Sequence, residues 1–306
     1  VLIMGRIFGG MASVLLHTSF EAWLFSSYHR PRQAAAYIMP MHTTLSSWIA
    51  IAAGPISDFV VQFRGPVGAF DAAALCAIFG CIATASLWSE NFGTAAVESA
   101  KEGMGVQDVL SAVRDSRALM LVCIIQILFE GCLHVLIMVW YPMLQIAESQ
   151  FGGIPVQGGA IFSCLMVAMM VGTACLNLTR RRFPATTHEN ALLALVAVGF
   201  AATMVCTIEL PFVSSQGRFF ACFLAFEAAA GVFHPCISAL RATHVPGKMR
   251  ANFFSWIRLP QHGITVILLL VWREKTRFPV AAVAALFFSL ICAIALRAGS
   301  AQAAHE

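Results

Sequence analysis

Apolar residues run along this chain in blocks of about 20, each long enough to cross the hydrocarbon core of a bilayer as an α-helix. Nine such blocks fall at 1–26, 43–63, 66–88, 118–143, 158–178, 190–210, 219–240, 251–272 and 278–297. The pattern predicts an all-α, polytopic membrane protein. Proline and glycine occur inside several blocks, as at Gly54-Pro55, Pro142, Pro235 and Pro260. Membrane helices tolerate them because neighbouring helices supply the hydrogen bonds that a proline removes.

Polar residues concentrate between the blocks. The longest polar stretch, 89–117, ends in VQDVLSAVRDSR, which predicts a short amphipathic helix with Val106, Val109, Leu110 and Val113 on one side. Three blocks precede this stretch and six follow it. The predicted organisation is a partial N-terminal bundle of three spans (1–88), a cytoplasmic linker (89–117), a six-helix C-terminal bundle (118–297) and a tail (298–306). The apolar run is already under way at Val1, so the expectation is a chain that continues upstream by three further spans, about 9 of 12 being present here.

Composition fits this picture. The 306 residues are 59% hydrophobic and 11% charged, less than half the roughly 25% charge of soluble domains. A net charge of +4, scattered over the loops, gives no nucleic-acid-binding patch. Alternate loops carry twelve Lys and Arg against five in the opposite set. By the positive-inside bias this puts the C-terminus in the cytoplasm. Ten cysteines lie mostly within apolar runs without a CxxC pair, and read as small buried hydrophobes rather than disulfide or zinc ligands.

Against that background the ionisable residues inside the blocks stand out. A charge at the centre of a membrane helix costs at least about 2.5–3.5 kcal/mol, so such residues face a bundle interior or wet cavity and commonly mark a solute path. Glu130 and His134 lie four apart in IQILFEGCLHV, hence on one helix face. Glu227 lies in FEAAAGVFHPC with His234 seven residues on, and Arg258 and His262 form another i,i+4 pair in SWIRLPQH. Arg258 stays charged and needs a carboxylate or an anionic ligand; a structural ion pair with Glu227 is one reading. Arg6 in LIMGRIFGGMAS is either an anion ligand or an interfacial, snorkelling residue. Glu21 and Asp58, near the ends of their spans, are candidates for coupling or gating together with His134 and His234. Arg180, Arg181, Arg182 and Arg241 read as topology determinants. No metal-ligand set, HExxH motif or nucleotide-hydrolysis motif is present, and no cofactor or enzyme activity is expected.

These segments resemble the molybdate-anion transporter family, a branch of the major facilitator superfamily. The resemblance runs collinearly through GRIFGG with SFEAW, WSENFG, IQILFEG with VWYP, FEAAAGVFHP followed by Arg241, and NFFSWIRLPQH. Leu2, Arg6, Gly9 and Gly10 also match the LxxxRxxGG motif of the fourth facilitator helix. The resemblance implies two helical bundles around a central cavity, alternating access, and uptake of molybdate, a tetrahedral dianion. Arg6, Glu21, Glu130, Glu227, Arg258 and His262 fall on family-like positions, whereas His134 and His234 depart from the apolar residues usual there. The expected partners are molybdate or a similar oxyanion and the lipid bilayer, and the expected location is the plasma membrane. The alternatives are a transporter of another small anion such as sulfate, and a non-transporting sensor or scaffold.

Overall fold

The computed structural model describes residues 4–5, 7–12, 15, 31–89, 106–182, 187–209, 215–245, 250–271 and 280–302. No strand occurs among them. The delimited helices are α1 (Pro31–Arg64), α2 (Pro66–Leu87), α3 (Val106–Asp115), α4 (Arg117–Phe151), α5 (Gly158–Arg182), α6 (Thr187–Glu209), α7 (Gln216–His244), α8 (Arg250–Val271) and α9 (Val280–Gln302). Among the described residues six helices are long and apolar enough to span a membrane: Leu45–Arg64 within α1, α2, α4, α5, Gln216–Arg241 within α7, and Ala281–Gly299 within α9. Asn190–Cys206 of α6 and Trp256–Leu270 of α8 are shorter apolar stretches. The chain is a polytopic helical membrane protein.

Two compact units divide the chain: Val1–Ala50 with Phe59–Met104, and Gly105–Glu306 with Ile51–Asp58. In the first, Gly65 stops α1 with a left-handed φ of 72°, and Pro66 starts α2 at a position where a missing N–H costs nothing. Phe63, Phe70, Phe79 and Leu87 are all exposed there. Such a surface suits hydrocarbon rather than water as its solvent.

The second unit holds the core. α5 and α6 pack on α7, α6 on α9, and α4 touches α7, α8 and α9. At its centre Phe129 stacks on Phe233 at 3.9 Å and on Phe226 at 5.8 Å between centroids. Ser116 caps the start of α4 by accepting from the Leu119 N–H, and Ser215 caps α7 by accepting from that of Arg218. α3 seats Val109 in a smaller cluster with Leu119, Cys123, Val245, Phe253 and Ile257.

Two readings of the sequence are corrected here. Leu110 does not join Val109 in that cluster: it is 66% exposed, because adjacent helical residues point about 100° apart and Ala112 and Val113 complete the buried stripe instead. All ten cysteines are free, but Cys76, Cys81, Cys164 and Cys175 are exposed on apolar helices rather than buried. An apolar block in a membrane protein has a lipid face as well as a packed face, and a small thiol fits either.

The prolines determine where helices lean on one another. Pro55 has no N–H for the carbonyl of Ile51, four residues back, and Ser163 Oγ of α5 donates to that oxygen at 2.6 Å. Pro235 likewise frees the carbonyl of Gly231, which accepts from Thr173 Oγ1 at 3.0 Å. Glycines let the backbones approach closely enough for this. A Cβ on Gly54 would strike the Gly159 carbonyl, one on Gly172 that of Ala228, and one on Gly231 that of Met169.

Candidate functional site

The α-helical repeat places Gln126, Glu130 and His134 one turn apart on a single face of α4. Gln126 Nε2 donates to Glu130 Oε1 at 3.0 Å, and His134 Nδ1 lies 2.6 Å from the Glu130 carbonyl oxygen. Across from this ladder runs α8. Its Gln261 amide comes within 3.5 Å of His134 Nδ1, and the His262 ring stands edge-on to His134 at 5.4 Å. Thr265 Oγ1 donates to the carbonyls of Gln261 (3.1 Å) and Gly131 (3.4 Å). Gly131 makes the approach feasible, since a Cβ there would sit 3.0 Å from the Ile264 side chain.

Burial sorts these groups. Gln126 and Gln261 are 2% and 3% exposed, and each has an amide oxygen without a hydrogen bond. Glu130, His134 and Arg258 are half-buried, while His262 is exposed. The inner amides therefore hold the ladder in place, and the carboxylate, imidazoles and guanidinium form its accessible edge. Arg241 and Arg258 both act electrostatically on Glu130, and Arg258 also acts on His262. The result is a mixed polar site in which Glu130, bonded to Gln126, lies within electrostatic range of two guanidiniums and beside two imidazoles. Such a constellation can hold a small anion through charge-assisted hydrogen bonds.

The structure thus brings Glu130, His134, Arg258 and His262 together. His234 lies on α7, its ring against that of Phe233 at 6.0 Å. Glu227 is 3% exposed and one of its carboxylate oxygens lacks a hydrogen bond. Arg258 lies within electrostatic range of Glu130. Asp58 is elsewhere. Its Oδ1 and Oδ2 accept from the N–H groups of Gly159 (2.8 Å) and Ala160 (2.7 Å), so it caps the N-terminus of α5. Arg6 and Glu21 lie outside the described residues.

Sequence reasoning missed Gln126, Gln261 and Thr265, and it gave Arg241 only a topological role. Arg241 donates to Ser238 Oγ at 2.9 Å and lies within electrostatic range of Glu130. The i,i+4 spacing of Gln126 to Glu130 was the available signal for the first; the others depend on the crossing of α4 and α8. Among the described residues no group of three His, Cys, Asp or Glu could hold a metal ion.

Residues 1–228 match a major facilitator family model described as sugar transporters with 12 transmembrane helices. Several curated proteins are similar over most of the chain. A molybdate-anion transporter of Takifugu rubripes is 28% identical over 300 residues, covering 88% of this chain and 60% of that protein. One of Xenopus tropicalis is 27% identical over 310 residues, covering 97% of this chain and 66% of that protein. One of Danio rerio is 27% identical over 308 residues, with coverages of 88% and 60%. The chain thus spans about 60% of the length of the first of these relatives. No solved structure matches it.

Proposed function

The chain belongs to this 12-helix family of the major facilitator superfamily, and from that premise we propose that it is part of a secondary transporter that moves a small oxyanion, molybdate in the first place, by alternating access. The observation that supports the reading is the polar crossing of α4 and α8, where Glu130, His134, Gln261 and His262 meet, with Arg241 and Arg258 within electrostatic range of Glu130. Guanidinium offers planar paired donors that match the edges of an oxyanion. When the site is empty, Glu130 offsets part of the positive charge. A bound anion displaces or shares that partner, which supplies the differential affinity that a conformational change requires. The name shared by the relatives in fish and frogs supports molybdate.

In this reading Arg258 and His262 are the anion ligands on α8, and Arg6, outside the described residues, is a further candidate. Glu130 balances the charge. Glu227, almost fully buried, serves as a buried carboxyl rather than as a ligand. Residues 118–297 work as a six-helix bundle whose mate includes residues 1–88, in the plasma membrane with the C-terminus in the cytoplasm.

A second reading is transport of a neutral polyol. The sugar label of the matching family and the buried amides of Gln126 and Gln261 favour it, while the two arginines disfavour it. Uptake of labelled molybdate by cells expressing the full reading frame decides. Saturable uptake that excess sugar leaves unchanged supports the anion. Absence of molybdate and sulfate uptake by a correctly localised protein, with uptake of a hexose, overturns it. Competition by sulfate then separates molybdate from a general tetrahedral-oxyanion specificity.

A further inference from the structure

We infer that α3 is an interfacial helix whose Leu110–Arg114 edge binds the anionic phospholipid surface of the leaflet it borders. Only Ser116 separates α3 from α4, and its extended backbone (φ −116°, ψ 106°) ends one helix and caps the next. The apolar run of α4 begins at Ala118, so the boundary between water and hydrocarbon falls at the start of that helix. α3 packs on both α4 and α8. Its Val109 is buried with Leu119 and Cys123, in the first two turns of α4, and with Phe253 and Ile257 near the start of α8. These contacts hold α3 at the depth of the lipid headgroups.

Charge divides this helix lengthwise. Val109, Ala112 and Val113 form its packed stripe. Leu110 and Arg114, four apart, share the edge on one side of that stripe, and both are exposed. Asp108 and Asp115, seven apart and also exposed, share the edge on the other side, at least about 100° round the helix. Placing Asp108 in the first turn and Arg114 in the last suits the helix dipole. The dipole does not require that acid and base take different edges, or that the base stand beside an exposed leucine. An anionic membrane surface requires both: Leu110 enters the apolar boundary, Arg114 meets phosphate oxygens, and the carboxylates face away. Arg117 points to the same occupant. It is an exposed cation at the first position of α4, where the dipole disfavours positive charge, and no acidic residue lies in that turn. A lipid phosphate there offsets the dipole and the guanidinium together. Because Val109 touches both α4 and α8, anionic lipid on α3 braces the start of both helices.

The test is amide hydrogen exchange, and it does not depend on the substrate. The protein encoded by the full reading frame is placed one copy per nanodisc, in phosphatidylcholine alone or mixed with phosphatidylserine. Amides of 106–115 should exchange more slowly in the discs with phosphatidylserine. The difference should shrink in about 1 M salt, where the Debye length falls to about 3 Å. Arg114→Gln and Arg117→Gln should each remove about fivefold of the slowing, the share of one arginine at an anionic surface. Leu110→Ser should speed exchange in both lipids, while Arg114→Lys should keep most of the effect. The altered side chains are exposed, and an unchanged unfolding midpoint shows that the variants fold. Equal exchange of α3 in the two lipids overturns the inference, as does a slowing that survives Arg114→Gln combined with Arg117→Gln. Slowing that requires two copies per disc assigns the edge to a second copy of the chain and also overturns it.

Discussion

Thr173 donates its hydroxyl to the carbonyl of Gly231, the oxygen that Pro235 leaves without a helical partner. A proline inside a membrane helix is thus matched by a hydroxyl on the helix beside it. Ser163 and Ile51 repeat the arrangement at Pro55. In hydrocarbon no water can substitute for either donor. Thr173→Val, close in shape, should therefore lower stability by about 0.5–2 kcal/mol, the range for hydrogen bonds between membrane helices. Unfolding in mixed detergent measures this, and Thr173→Ser should restore most of it.

Gly172 and Gly231 face the carbonyls of Ala228 and Met169 across the α5–α7 crossing. A methyl group at either position forces the backbones apart. Gly172→Ala and Gly231→Ala should each cost about 1–3 kcal/mol, as overpacking does. Reduced yield of monodisperse protein and a lowered unfolding midpoint are the expected observations. Gly263→Ala is the control, since a Cβ there meets nothing within 4 Å.

The carboxylate of Asp58 accepts two N–H groups at the start of α5. Asp58→Ala removes both acceptors and the favourable interaction with the helix dipole, a loss of about 1–2 kcal/mol. Asp58→Asn keeps one acceptor oxygen and should fall between. Both are read as shifts of the unfolding midpoint.

Arg258 acts on Glu130 and His262 from half-buried surroundings. Arg258→Ala should raise the apparent KM for molybdate by about 10–100-fold, as expected for loss of a charge-assisted hydrogen bond worth about 1.5–3 kcal/mol. Arg258→Lys keeps the charge without the planar fork and should be intermediate, with near-normal surface expression. An unchanged KM in Arg258→Ala would assign the residue to structure alone.

The division of basic residues among the loops predicts that Arg180–Arg182 and the C-terminus share one membrane face. Single cysteines placed at Arg181 and at Ala304, in a background without the natural thiols, should react with a membrane-impermeant maleimide only after permeabilisation. Labelling of one but not the other in intact cells would overturn the topology.

The sequence made the helices legible because hydrocarbon imposes one length and one backbone solution on every span. Glu130, His134, Arg258 and His262 were visible as charges in apolar runs, and their i,i+4 spacing already placed each pair on one face. What stayed hidden was which faces meet. That His134 of α4 meets Gln261 and His262 of α8 could not be read without the packing of those helices. Gln126 and Gln261 carry no charge and therefore do not stand out in an apolar run, although both are almost fully buried. Ser163 and Thr173 were missed for another reason. Small hydroxyl residues are common in membrane helices, and only the position of a distant proline gives these two a task.

The ladder of Gln126, Glu130 and His134 also has an electrical meaning. Its ends are eight residues apart on α4, or about 12 Å along the axis at the helical rise. The hydrocarbon layer is about 30 Å thick, so a charge displaced from one end to the other crosses about two fifths of the potential drop. At about 2.3 kcal/mol per elementary charge per 100 mV, that displacement carries about 0.9 kcal/mol per 100 mV. In the proposed transporter, a membrane voltage would therefore bear on how the ladder is occupied.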